Sequence, residues 1–420
     1  MLTQKKQLND IVVQLIICVA YFELDRVFEI YGANGEPWFI LTSQIVAACT
    51  LALFVFNLLK RKNLYNSLNY MFFLILIYAI YAIFTTYVNQ GSLRAGIGHM
   101  YPNLAMYALI NLSCCSQYST EKFLKTISNT YILLSTINLL FIIILPKLFG
   151  EHRFFLGLEN HIGFMLILGE LFVYLDCEAS GKKKKLFLYH IICSVSLILI
   201  FSGSNIIGML IIAVYFIFPK VRKFIKNRPI IWFYGLYIFV WINVVFMTNY
   251  GLLTWTPVRF VIENILGKNI TFSGRMYIWE TAVPIVIEKF WIGHGITSSP
   301  NHFYVYKLLM GEGIFTATFS AHNQVLQSMY EIGFIGVLII AVMIFVSEYN
   351  ISKIKNKNVS GIFRIIIIAL LVMLMSEAVG WATVIVTLSL VPVMAKFECN
   401  YKETNKETIF YENIVTDNMG

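Results

Sequence analysis

Long apolar runs, separated by short charged turns, repeat from end to end of this chain. Each covers roughly 17–25 residues, the length a helix needs to cross about 30 Å of hydrocarbon. In lipid every backbone N–H and C=O must find its partner within the segment, so the runs are expected to be helices. The pattern predicts helices over about 10–29, 37–59, 68–88, 97–115, 126–145 and 158–176. A short pair follows at about 186–202 and 203–218, then a helix over about 230–250. A polar stretch takes up about 251–321, and helices resume over about 322–346, 361–379 and 380–395. The expected fold is all-α and integral to the membrane. It has about 12 transmembrane helices in one domain over about 1–395, with one large extracytoplasmic loop and a polar tail, about 396–420, that reads as disordered.

Composition agrees. The chain is 58% hydrophobic and 13% charged, with a mean hydropathy of +0.71. Soluble domains carry about 25% charged residues, so the bilayer has to be part of this chain's solvent. The formal charge of +9 reads as topology, not as nucleic-acid binding. Lys60-Arg61-Lys62, Lys182 to Lys185, Lys220 to Lys223 and Lys353 to Lys355 all lie between apolar runs. By the excess of Lys and Arg in cytoplasmic loops, these turns face inward, both termini are cytoplasmic, and the 251–321 segment lies outside. No cleavable signal peptide is evident, so the first helix is expected to stay as an anchor. Of the 7 cysteines, most fall inside apolar runs (Cys18, Cys49, Cys114, Cys193). With no C-x-x-C pattern they read as small core residues.

Candidate chemistry concentrates on the outer side. Ser273-Gly274-Arg275-Met276-Tyr277-Ile278-Trp279-Glu280 opens what reads as an amphipathic helix over about 274–290, lying along the membrane face. Ser273 is placed to cap it, and Arg275 falls in its first turn, where an anion would meet both dipole and guanidinium. Trp279 lies one turn on, either stacking on a sugar or anchoring at the interface. Trp291-Ile292-Gly293-His294-Gly295 is a Gly-flanked turn, weak as a signal by itself. His322-Asn323 marks the entry of the next helix, followed by Gly333-x-x-Gly336. A neutral His suits a general base, although a polar cap is the commoner role. Arg153, in Glu151 to His161, is a second candidate phosphate ligand or else a snorkelling interface residue. Ser202-Gly203-Ser204-Asn205 puts polar groups at an outer turn. Glu23 and Asp25 pair without a third ligand, so no metal site is assigned. Glu170, Glu331 and Glu377 are the main charges within apolar runs and are expected to pair locally near helix ends.

The arrangement His322-Asn323, nine residues, then Gly333-x-x-Gly336 resembles the signature of the O-antigen ligase and polymerase superfamily. Gly274-Arg275 with Trp279, Gly293-x-Gly295, and Arg153-x-x-x-Gly157 with Asn160 are similar to that family's outer segments. One departure is at Ser204-Asn205-Ile206, where the family commonly reads Ser-Arg-Gly, so a cation is missing. The resemblance implies a membrane-embedded glycosyltransferase that joins polyprenyl-pyrophosphate-linked sugars on the outer face of the bacterial cytoplasmic membrane, with no metal or other cofactor. His322, Arg275 and Arg153 would be catalytic. Trp279, Tyr277, Asn323, Asn160 and Asn205 would contact substrate. The implied partners are lipid-linked oligosaccharide donor and acceptor, a flippase and a chain-length regulator. Abundant Ile, Lys and Asn favour a capsule or exopolysaccharide polymerase. The alternatives are a ligase moving finished glycan to another acceptor, and a lipid-linked oligosaccharide flippase or other transporter. A transporter predicts two similar halves and charges deep in several helices.

Overall fold

A computed structural model describes residues 36–60, 69–114, 117–146, 148, 152–247, 255–260, 263–264, 275–296 and 320–396. The expected first helix, the Glu23–Asp25 pair and the polar tail lie outside these residues, as does Ser273. The helices in order are α1 (Glu36–Lys60), α2 (Tyr70–Val88), α3 (Leu93–Ser113), α4 (Gln117–Ile144), α5 (Glu159–Ser180), α6 (Lys183–Ile200), α7 (Gly203–Ile217), α8 (Pro219–Asn227), α9 (Ile231–Val245), α10 (Thr256–Phe260), α11 (Arg275–Glu288), α12 (Gln324–Lys353), α13 (Lys357–Leu374) and α14 (Ala382–Lys396). A two-strand hairpin, β1 (Arg153–Phe154) and β2 (Gly157–Leu158), precedes α5.

Local chemistry explains where the helices start and stop. Asn69 caps α2 by accepting from Met71 N at 3.0 Å, Ser92 caps α3 through Ala95 N at 3.2 Å, and Asn356 caps α13 through Asn358 N at 2.9 Å. Pro219 starts α8, where a missing N–H costs nothing. Gly181 ends α5 in the left-handed conformation.

The expectation of an all-α membrane protein holds. Among the described residues four helices are long and apolar enough to cross a membrane: α2, α4, α12 and α13, or five spans if the bent pair α7–α8 counts as one. The helix predicted over 97–115 begins at Leu93, and the one predicted over 126–145 begins at Gln117. Both extensions carry polar residues that hydropathy alone leaves out. The predicted division of the last two helices at 379–380 falls earlier. Helix α13 ends at Leu374, and residues 377–380 are irregular, with Gly380 at φ +87°.

Helix α13 is the centre of the molecule. Its Ile- and Leu-rich surface is buried on nearly every side, against α5, α7, α8 and α12. That is how a helix apolar all round behaves when other helices enclose it. On one flank α12 packs on α2, α2 on α3 and α3 on α1; on the other, α5 packs on α4 and α6. Two polar clusters mark the opposite ends of α13, which are about 27 Å apart at 1.5 Å per residue. Two turns into it, buried Arg364 donates to Glu348 Oε1 at 2.8 Å and, toward the helix start, to the carbonyls of Ile225 and Lys226. Lys226 meets Asn358, and Asn356 and Asn358 reach Glu178. The lysine-rich turns at 182–185, 220–223 and 353–355 are at this end. The other end carries the candidate site.

Two expectations about buried groups need correction. Glu170 pairs with His190 at 2.8 Å in the middle of α5 and α6, not near a helix end. Cys193 is buried as expected, but Cys49 is exposed on the outer surface of α1.

Candidate active site

The His-Asn-x9-Gly pattern corresponds to a local structure. Asn323 caps α12, its Oδ1 accepting from Leu326 N at 3.0 Å. After nine intervening residues, the helix breaks at Gly333 (φ 65°, ψ −175°). The break leaves backbone groups without helical partners, and a buried backbone group needs one. Residues 290–295 supply them. His294 N donates to Tyr330 O at 2.7 Å and Gly295 N to Glu331 O at 2.8 Å, while Phe334 N donates to Phe290 O at 2.7 Å and Ile335 N to Trp291 O at 3.2 Å. The two segments come so close that a Cβ on Gly293 would sit 2.5 Å from Gly333 N, and one on Gly333 would sit 2.4 Å from Trp291 O. Both glycines also have positive φ. His294 belongs to this join: its Nε2 meets Ile285 O at 2.8 Å and its ring stacks on Tyr330. The Gly-x-Gly turn and the helix signature are therefore one contact.

This join positions the site residues. Arg275 is the first residue of α11, whose inward face (Ile278, Trp279, Ala282, Val286) is buried where α11 meets α12 and α9. His322 directly precedes the α12 cap, at φ 45°. Both face Glu377, in the irregular segment between α13 and α14. Arg275 Nη2 donates to Glu377 Oε1 at 2.6 Å, and Ser204 Oγ donates to the same oxygen at 3.3 Å. His322 Nδ1 lies 3.7 Å from Glu377 Oε2. That is close enough for attraction between charges and too long for a hydrogen bond; His322 Nδ1 has no hydrogen-bond partner. Glu377 is 3% exposed.

Glu377 is the site residue that sequence reasoning did not assign. Its signal was its position, a carboxylate inside an apolar run, but the partners that give it a role lie 102 and 173 residues away.

The remaining assignments fare differently. Asn323 is fully buried; besides capping α12 it accepts from Trp241 Nε1 at 2.9 Å and donates to Met375 O at 2.8 Å. Its oxygen and one of its two N–H groups join α9, α12 and the end of α13, which gives it a structural role. Trp279 is 1% exposed, with its indole N–H on Ala321 O at 3.0 Å. It offers no open face to a sugar, and it fixes the backbone next to His322. Asn205 is also fully buried, and its Nδ2 donates to Glu159 O at 2.8 Å. This bond ties α7 to α5, while its Oδ1 has no hydrogen-bond partner. Asn160 is half-buried and accepts from Ser202 Oγ at 3.3 Å. The side chains of Tyr277 and Arg153 lie outside the described residues. The backbone of Arg153 is described: it pairs with Leu158 in the hairpin, and Gly157 (φ 117°) makes the turn possible. The hairpin leads directly into Glu159 and Asn160, which bond to the α7 turn that carries Ser204. Among the described residues no three His, Cys, Asp or Glu side chains gather as a metal site would need.

The family model described as O-antigen ligase matches residues 188–341. The match covers about a third of the chain and supports its resemblance to the O-antigen ligase and polymerase superfamily. No curated protein matches the chain. The O-antigen ligase segment runs from α6 into α12 and holds Asn205, Arg275, Trp279, His322 and the Gly293–Gly333 join. Arg153 and Glu377 fall on either side of it. That similarity points to a glycosyltransferase-like enzyme of polysaccharide assembly in a multi-pass membrane protein.

Proposed function

We propose that this chain is a polysaccharide polymerase, joining undecaprenyl-pyrophosphate-linked repeat units on the outer face of the bacterial cytoplasmic membrane. The reading includes a topology of about 12 spans, both termini inside and the 251–321 segment outside. The observation that carries it is the convergence of Arg275 and His322 on one buried carboxylate, at the end of the bundle opposite the lysine-rich turns.

In the proposed step the acceptor sugar's hydroxyl oxygen attacks the anomeric carbon of the donor. A new C–O bond forms as the bond between that carbon and the pyrophosphate oxygen breaks, and the electron pair leaves with the lipid pyrophosphate. The hydroxyl proton passes to Nε2 of His322. Glu377 Oε2, 3.7 Å from Nδ1, would offset the imidazolium that forms. Arg275 uses one nitrogen on Glu377, and its remaining donors are available to the pyrophosphate as negative charge develops. Arg153 would add a second cation from the hairpin. No metal or other cofactor is invoked, and the flippase and chain-length regulator are partners this role requires.

The test is His322→Asn, because Asn tolerates the positive φ at this position and removes the imidazole. Glycan length is read by gel, at matched expression, beside Arg275→Lys. The polymerase reading expects single repeat units on the lipid carrier and no long chains. Long chains that remain on the carrier and never reach their acceptor would indicate the ligase. Failure of single units to appear outside would indicate a transporter. Normal chain length in both variants would overturn the catalytic assignment.

A further inference from the structure

The lysine-rich end of the bundle carries a surface that the proposed reaction does not use. Helix α8 leaves α7 at a bend of 96°. Were α7 to cross the membrane by itself, α8 would run along its plane. The nine residues of α8 are sharply two-sided: Ile225 is buried and Val221 packs on the core, while Lys220 and Lys223 are exposed. Arg222 and Lys226 add two more cations to the same helix.

The helix is held rigidly. Arg364, buried within the bundle, donates to the carbonyls of Ile225 and Lys226 at 3.0 and 3.1 Å, satisfying the end of α8, and Glu348 fixes Arg364 from behind. Lys226 is used up on Asn358. Burial, and then the neighbouring Arg222, pull its ammonium below the ordinary lysine range. Lys220, Arg222 and Lys223 form no ion pair among the described residues. The nearby carboxylates are committed elsewhere: Glu178 to Asn356 and Asn358, Glu348 to Arg364, and Asp176 to Lys185.

Aromatic rings flank the cations. Phe218 is 53% and Trp232 52% exposed, and Phe224 lies 5.7 Å from Trp232 with the Arg228 guanidinium over its ring. Large exposed rings beside unneutralised cations call for a medium that is apolar on one side and anionic on the other. A basic amphipathic helix in that position matches the boundary of a charged leaflet. A soluble acidic partner would leave Phe218 and Trp232 in water.

We propose that α8 is a docking surface for the phosphate groups of anionic phospholipids, with Lys220, Arg222 and Lys223 as the contacting side chains and Phe218, Phe224 and Trp232 seated among the acyl chains. The arrangement lies at the far end of α13 from Glu377, so this inference stands whether or not the polymerase reading does.

The experiment uses the full chain in neutral detergent. Dioctanoyl phosphatidylglycerol or dioctanoyl phosphatidylcholine is titrated in while the unfolding temperature is followed. Wild type is expected to rise with phosphatidylglycerol and not with phosphatidylcholine, less so at high salt. The triple variant K220Q/R222Q/K223Q is expected to need at least about ten-fold more phosphatidylglycerol for the same rise, since each cation near an anionic surface contributes several-fold. Arg259→Gln, an exposed cation in α10, should respond like wild type. The proposal is overturned by equal responses to the two lipids, by a triple variant that titrates like wild type, or by inorganic phosphate or a poly-glutamate peptide reproducing the wild-type rise.

Discussion

Glu377 concentrates the residue-scale argument. A buried carboxylate is costly unless paired and hydrogen-bonded, and removing the partner leaves the charge uncompensated at about 3–5 kcal/mol. Arg275→Ala should therefore damage stability as well as activity, and its loss of function is ambiguous unless the unfolding temperature is measured alongside. His322 makes no such commitment. Its replacement by Asn should leave thermal stability within about 1 kcal/mol of wild type while long glycan disappears. Asn323 is the reverse case. Asn323→Ala removes a helix cap, worth about 1 kcal/mol, and strands the indole N–H of Trp241 and the carbonyl of Met375, each costing about 1–3 kcal/mol. A fall of at least about 2 kcal/mol in unfolding free energy is expected, and a neutral result would restore Asn323 as a ligand candidate.

Among the elements, the break in α12 has the clearest consequences. Gly333→Ala and Gly293→Ala each place a Cβ against opposing backbone at a positive φ. Each should cost at least about 2 kcal/mol. Because they occupy the same contact, the double variant should fall short of their sum, as coupled neighbours do. Gly98→Ala is the control. Nothing lies within 4 Å of its added Cβ, and within α3 the change should be neutral or stabilising by up to about 1 kcal/mol. Equal penalties at all three glycines would mean that the join between residues 290–295 and α12 is not what holds the break. Since α11 and the α12 cap depend on that join, its loss should also scatter Arg275 and His322, and activity should fall with stability.

At the scale of the whole molecule, the two ends of α13 behave as opposites. The basic end rests on the Glu348–Arg364 pair, with both side chains 2% exposed. Glu348→Ala should cost about 3–5 kcal/mol, whereas Glu348→Leu combined with Arg364→Met should recover much of it, because paired apolar side chains replace a desolvated ion pair. Orientation is testable with impermeant thiol reagents on intact cells. A cysteine introduced at Arg259 should be labelled from outside, and one at Asn356 only after the membrane is opened. The reverse pattern would put the candidate site in the cytoplasm, where the proposed outer-face reaction has no place.

What the chain's own pattern determined was its class and most of its elements. A chain this apolar cannot be hidden from water by its own folding, and a bilayer sets helix length by its thickness, so both can be read residue by residue. Helix α5 was expected over 158–176 and occupies Glu159–Ser180; α7 was expected over 203–218 and occupies Gly203–Ile217. The signature around His322 was legible as a pattern, and Arg275 and His322 as candidates. Only the tertiary structure decided what those residues do. It placed Asn323, Asn205 and Trp279 in buried contacts between helices, gave Arg275 and His322 a shared carboxylate, and joined two glycine motifs into one backbone contact. The physical reason is range. Hydropathy and helix length are local properties, whereas a buried polar group takes its role from whichever partner the fold brings within about 3 Å, and for Glu377 and Arg275 that partner is 102 residues away.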